Sequence, residues 1–220
     1  MKRKNAFSMI ELILVIVVMG ILASLAIPRM DRDLRQEAID SITSDIMLTQ
    51  RMALSDHRHD SSDPQWQRTY WQWQYMNTAD CSESVVYSVF SDLDKDGDAN
   101  NSEIAIDSYN HKYIHAPDSY CSSGTMPNDY SERVLLTKKF GIDSISSTGG
   151  CSSTQQIAFD ELGRPHVGIS GSTTPNFASL MQTDCTLTFT FDNGLIDDTD
   201  DFNITIEAIT GRICNGSIKR

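Results

Sequence analysis

The chain opens on an apolar block. No residue from Leu12 to Ile27 is charged. A helix over Phe7 to Ile27 is roughly 31 Å long, close to the thickness of a bilayer core. Past Pro28 the pattern changes. Met30, Leu34, Ala38, Ile42 and Ile46 recur every fourth residue, with Ile39, Ala53 and Leu54 nearby, while Arg29, Asp31, Arg32, Asp33, Arg35, Glu37 and Asp40 fill the other faces. That spacing predicts an amphipathic helix to about Leu54, with an apolar side that needs a sheet to cover it. Ser55 to Gln65 is polar and reads as a linker. The period then falls to two, which predicts strands over Thr69 to Met76, Val85 to Phe90, Ile157 to Phe159, Thr186 to Phe191 and Phe202 to Ile206. The last two read as a hairpin around the turn-rich stretch from Asp192 to Asp201. Residues 116–131 and 146–154 are rich in Ser, Gly, Pro and Asp and read as loops.

The predicted fold class is therefore α+β: a long N-terminal helix, membrane-crossing and then amphipathic, packed on a mostly antiparallel β domain. The expected divisions are a leader over 1–6, a transmembrane helix over 7–28, an amphipathic helix and linker over 29–60, and an extracytoplasmic β-rich domain over 61–220. Trp66, Trp71 and Trp73 are expected to fill the core or cover the helix.

Charge sets the orientation. Lys2, Arg3 and Lys4 precede the apolar block, and the positive-inside rule keeps that end cytoplasmic. The full chain has 220 residues and a formal net charge of −12, which argues against a nucleic-acid or anionic-membrane face on the bulk domain. Cys81, Cys121, Cys151, Cys185 and Cys214 all follow the apolar block, and none forms a C-x-x-C pair. Scattered cysteines beyond a membrane-directed segment predict an oxidising compartment and disulfides. Order along the chain and expected strand adjacency favour Cys81–Cys121 and Cys151–Cys185, with Cys214 free or pairing between chains. Cys185–Cys214 is the competing pair.

Glu11 needs an explanation, because a carboxylate in a spanning helix is costly and such residues are commonly functional. Ser8-Met9-Ile10-Glu11 fits a capping box, in which Glu11 closes the helix start. The wider stretch, Lys4-Asn5-Ala6-Phe7-Ser8-Met9-Ile10-Glu11, resembles the cleavage and methylation site of type IV prepilins. Gly20 and Pro28 also fall where pilin helices often carry those residues. In that family Gly usually precedes the cut; Ala6 stands there in this chain. The resemblance implies cleavage between Ala6 and Phe7 by a prepilin peptidase, methylation of the Phe7 amine, and pairing of Glu11 with the N-terminal amine of a neighbouring subunit. A competing reading places an ordinary signal-peptide cut after Ser24-Leu25-Ala26 and releases a soluble, secreted protein.

Three further stretches narrow the resemblance to H-type minor pseudopilins and FimT-like minor pilins. They are Thr49-Gln50-Arg51-Met52-Ala53-Leu54, Phe159-Asp160-Glu161-Leu162-Gly163-Arg164-Pro165 and Ile206-Glu207-Ala208-Ile209-Thr210-Gly211-Arg212. The resemblance implies a structural subunit at the tip of a short filament, in type II secretion or a type IV pilus. Its partners would be prepilin peptidase, other minor and major pilins, and the bacterial inner membrane. A FimT-like DNA-uptake receptor is the second function class. Some members of that family carry a G-R-x-R turn; here Gly211-Arg212-Ile213-Cys214 lacks the second Arg, and the remaining cations are too few for clustered phosphate contacts.

The remaining candidate chemistry is the stretch from Asp92 to Glu103, which fits D-x-D-x-D-G followed by five residues and Glu. This is the spacing of a twelve-residue calcium loop. The expected ligands are Asp92, Asp94, Asp96, Asp98, Asn100 and Glu103, with calcium the one candidate cofactor. The H-type family often carries an acidic, Gly-containing hairpin loop here, so a solvated turn without metal is the alternative. His57 and His59, and the pair His111 and His115, are weak transition-metal candidates. No G-x-S-x-G, P-loop or dinucleotide fingerprint occurs, and the chain reads as a protein that is not an enzyme.

Overall fold

The computed structural model describes residues 9–77, 85–191 and 201–215, apart from the side chains of 24–33 and 215. The chain forms two compact units, Met1–Glu37 and Ala38–Arg220. Helix α1 runs Met9–Ser55, so it continues through Pro28 and ends one residue beyond the predicted stop.

Within the second unit the strands are β1 (Trp71–Asn77), β2 (Val85–Phe90), β3 (Ile142–Gly149), β4 (Gln156–Phe159), β5 (Pro165–His166), β6 (Cys185–Phe191), β7 (Phe202–Ile206) and β8 (Ile213–Asn215). They form two four-stranded sheets, ordered β2-β1-β4-β5 and β3-β6-β7-β8, with every ladder antiparallel. The predicted β6–β7 hairpin pairs from Cys185↔Ile206 to Phe189↔Phe202; most of its turn lies outside the described residues. Alternation explains these two strands. Leu187, Phe189, Ile204 and Ile206 are buried on one side, while Thr186, Thr188, Asn203 and Thr205 are partly exposed on the other.

One apolar core joins the second unit's part of α1 to both sheets. Ala38, Ile39, Ile42, Ile46 and Ala53 meet Trp71, Trp73, Val89, Ile145, Phe189 and Ile204 in it. Trp73 is wholly buried, as expected of a core tryptophan. The predicted apolar stripe is overdrawn at both ends: Leu34 is 38% exposed and Leu54 is 54% exposed. The helix face instead buries Thr43, Asp45 and Thr49 among its apolar residues.

Residues 142–149, half of them in an expected loop, are strand β3. Only Ile142 and Ile145 there are buried, and the strand exists through its seven-pair register with β6. The expected loop over 116–131 contains a short helix, α2 (Asp118–Ser123), ended by Gly124 at φ 68°. A second short helix, α3 (Leu136–Phe140), precedes β3. Strand β1 starts at Trp71, two residues late, because Trp66–Thr69 forms a 3-10 turn.

Candidate functional site

The processing residues Ala6 and Phe7 lie outside the described residues. Glu11 is in the first turn of α1 and is exposed. The apolar side chains from Met9 to Leu22 are exposed along the helix, between 45% and 85%. Among the described residues, no helix is long and apolar enough to cross a membrane. The side chains of 24–33, which hold the end of the apolar block, fall outside the description.

The three stretches that resemble H-type pilins meet in space. Asp160 organises the first of two glycine turns. Its Oδ1 accepts from Leu162 N at 3.0 Å and Arg164 N at 2.8 Å, and its Oδ2 accepts from Arg164 Nε at 2.7 Å. Burial alone would raise this carboxyl; the hydrogen bonds from His166 and Arg164 outweigh it and hold it at about 2. Gly163 follows at φ 75°, a left-handed conformation that favours glycine. The second turn carries Gly211 at φ 66°. Gln50, near the end of α1, joins them: its Nε2 donates to Gly163 O at 2.8 Å and to Gly211 O at 3.0 Å. The contact leaves no room for a side chain. A Cβ on Gly211 would stand 2.2 Å from Gly163 O and 2.6 Å from Gln50 Nε2.

His166 sits behind the first turn. Its Nδ1 is 2.8 Å from Ser179 Oγ and its Nε2 is 3.2 Å from Asp160 Oδ2. The residue types are those of a hydrolase triad, but the ring is reversed, since a triad serine bonds Nε2 and the aspartate Nδ1. Ser179 is 2% exposed and Tyr70 packs on the ring, so these groups lock the turn in place.

A second buried network holds α1 to the first sheet. Asp45 accepts from Tyr87 Oη and, at 2.7 Å, from Arg133 Nη2; Arg133 Nη1 pairs with Asp107 at 3.0 Å. Burial raises the Asp45 carboxyl to about 6, against the opposing pull of Arg133 and Tyr87.

The acidic loop is assembled in part. Asp92, Asp94 and Asp96 each place a carboxylate oxygen within 4.8 Å of the others. Glu103 does not join them. Its Oε1 accepts from Leu93 N at 2.6 Å and Asp94 N at 3.0 Å, and its Oε2 from Asn100 N at 3.1 Å. Asn100 turns its Nδ2 to Asp94 and its Oδ1 to Ser102 N, and Asp98 N donates to Asp96 Oδ1 at 2.8 Å. Asp92 is already paired: its Oδ2 accepts from Arg68 Nη2 at 2.9 Å and Nε at 3.2 Å. Calcium takes six to eight oxygens, two of them from the last Glu of such a loop. The donor set as folded does not fit it.

His57 and His59 lie side by side, with ring centroids 6.2 Å apart. His59 packs edge-on against Trp66, and His115 Nδ1 is 2.7 Å from Ser88 Oγ, with burial pushing the ring down to about 4. No described cluster with metal-ligand spacing contains a histidine. Cys151 and Cys185 form a disulfide, with Cα atoms 5.2 Å apart, tying the start of β6 to the turn after β3. Cys121 is disulfide-bonded, and Cys81, its expected partner, lies outside the described residues. Cys214 on β8 is a free thiol, which rules out the competing Cys185–Cys214 pair.

The sequence reading did not identify Gln50, Arg68, Asp45 or Arg133. Nothing local marks Arg68 or Arg133. A Gln inside the stretch that resembles a pilin helix end was the one available signal for Gln50.

Residues 1–27 match the family model described as the prokaryotic N-terminal methylation motif. No curated protein matches the chain, and no solved structure does. The match supports a type IV pilin-like N-terminus of the kind prepilin peptidase processes.

Proposed function

We propose that this chain is a minor pseudopilin or minor type IV pilin, inserted in the inner membrane and assembled at the tip of a short filament. The observation that carries the reading is the methylation motif over residues 1–27, continuous with a helix that exposes apolar side chains from Met9 to Leu22. An isolated helix gains nothing by presenting such a surface to water. A bilayer, and later neighbouring pilin helices, would cover it. In this reading the peptidase cuts after Ala6, the Phe7 amine is methylated, and Glu11 meets the amine of an adjacent subunit. That pairing removes the cost of a carboxylate in an apolar bundle. The domain from Ala38 onward stays outside the cytoplasm, where Cys151–Cys185 persists oxidised.

Intact mass and N-terminal peptide mapping of the membrane-extracted protein test the processing. The expected product begins with N-methylated Phe7, and a chain beginning at Ile27 overturns the assignment. Glu11→Ala tests assembly: cleavage should stay near wild-type level while cross-linking to partner pilins is lost. Normal incorporation of Glu11→Ala would reduce Glu11 to a helix cap worth about 1 kcal/mol.

A further inference from the structure

We propose that the guanidinium of Arg68 is the structural counter-ion of Asp92, the first carboxylate of the acidic loop, so that this hairpin closes without metal. The charges in the loop are dealt with one by one. Asp92 is buried, and a buried carboxylate needs an opposite charge and hydrogen bonds. Arg68 supplies both through two N–H groups on Asp92 Oδ2, and its side chain is 12% exposed. Glu103 is also buried, and three main-chain N–H groups donate to it, which satisfies its oxygens within the loop. Asp94, Asp96 and Asp98 are exposed, and water screens them. No buried carboxylate of the loop is left for a metal to neutralise.

The neighbourhood holds Arg68 in this role. It lies in the 3-10 turn Trp66–Thr69 that leads into β1, and Ser91 Oγ, beside Asp92, donates to Thr69 O at 2.6 Å. Gly97, the sharp-turn glycine of the pattern, adopts φ 96°, and its N–H points to Asp92 Oδ1. A Cβ there would be 3.7 Å from Arg68 Nη2, so the guanidinium lies against the turn itself. Lys95 is engaged elsewhere, 2.8 Å from Asp63, tying the loop tip to the polar segment before β1. Seating calcium in the twelve-residue manner would mean turning Glu103 away from the main chain.

Hydrogen exchange across 92–103 and thermal melting of the detergent-solubilised full chain, with millimolar calcium and with chelator, test this. The wild type should give the same exchange and the same midpoint in both. Arg68→Gln should speed exchange at Leu93, Asp94 and Gly97 about tenfold or more while leaving β6 and β7 unchanged. Arg68→Lys should fall between, because it keeps the charge but not the two-pronged donor. Calcium that slows exchange in the wild-type loop, or raises its midpoint, overturns the proposal. Unchanged loop exchange in Arg68→Gln overturns it too. If Arg68→Gln fails to fold, Arg68→Lys and the wild-type calcium comparison decide.

Discussion

Replacing Gln50 by Ala removes two hydrogen bonds at once. Its amide is the shared donor to Gly163 O and Gly211 O, and both glycines are buried. A protein hydrogen bond contributes about 1 kcal/mol net, and a buried carbonyl left without a partner costs about 1–3 kcal/mol. Two carbonyls, partly rehydrated in the gap, put the loss at about 2–4 kcal/mol. For a domain of this size about 2–4 °C is lost per kcal/mol, so the melting midpoint should fall by about 4–16 °C. Gln50→Glu keeps the volume and removes the donor, so it should be no better than Ala. Gly211→Ala attacks the same joint from the other side: its Cβ overlaps a backbone oxygen at 2.2 Å, which cannot swing away. It should cost more than Gln50→Ala, and because both changes act on one contact their effects should sum to less than the separate losses. Melting of the wild type, the three single variants and the Gln50→Ala, Gly211→Ala double variant by near-ultraviolet circular dichroism reads all of this. A Gln50→Glu midpoint equal to wild type would refute the reasoning, since it would show that packing and not the donated hydrogen bonds holds the turns.

Other consequences are measurable on the same material. Cys151→Ser with Cys185→Ser opens a loop of sequence separation 34; the chain-entropy estimate is a loss of about 3–4 kcal/mol, read as an earlier denaturant midpoint. Asp45 holds its proton more tightly folded than unfolded, its carboxyl rising from 3.8 to about 6. Its contribution is therefore fully present below about pH 4 and lost as pH rises to about 6, on the order of 2–3 kcal/mol, and Asp45→Asn should flatten that slope. Asp160, held at about 2, acts in the opposite sense: its stability is present above about pH 4 and lost as pH falls toward 2. Discounted for solvent screening, it amounts to on the order of 1–2 kcal/mol, which Asp160→Asn should abolish in an acid-unfolding titration.

The elements most legible in the sequence are those whose side chains declare a side. Strand β2 spans Val85–Phe90 as its apolar run predicts, and β6 and β7 follow their alternation to within a residue. Strand β3 is hidden because Ser144, Ser146, Ser147 and Thr148 carry no burial signal; hydrogen bonding to β6 makes it a strand. Strands β5 and β8 have two and three residues, too short for any period to show. The acidic loop is legible only in part for a related reason. Its twelve residues spell the spacing of a cation site, while the guanidinium that pairs with Asp92 is 24 residues upstream, in a turn that looks like ordinary polar chain.

The same distinction separates the two halves of the function. A peptidase reads a contiguous stretch of chain, so the N-terminal motif is legible without any fold. The joint at Gln50 spans 113 and 161 residues of sequence, and only the fold gives it meaning. Its consequence for α1 is one of register. The apolar stripe of Ala38, Ile42, Ile46 and Ala53 is held by burial, which is nondirectional and would tolerate a shift of one turn along the sheets. Directional bonds do not tolerate it. Asp45 to Tyr87 and Arg133, Gln50 to the two glycine turns, and Asp56, just past the helix end, to Trp71 Nε1 at 3.0 Å fix this end of the helix at three points. A one-turn slip is about 5.4 Å, and it would break every one of these bonds together. On the filament reading, any pull applied to the helix through Glu11 would have to be resisted where α1 meets the domain, and burial alone would let the helix creep along its groove. The polar pins make the joint all-or-none.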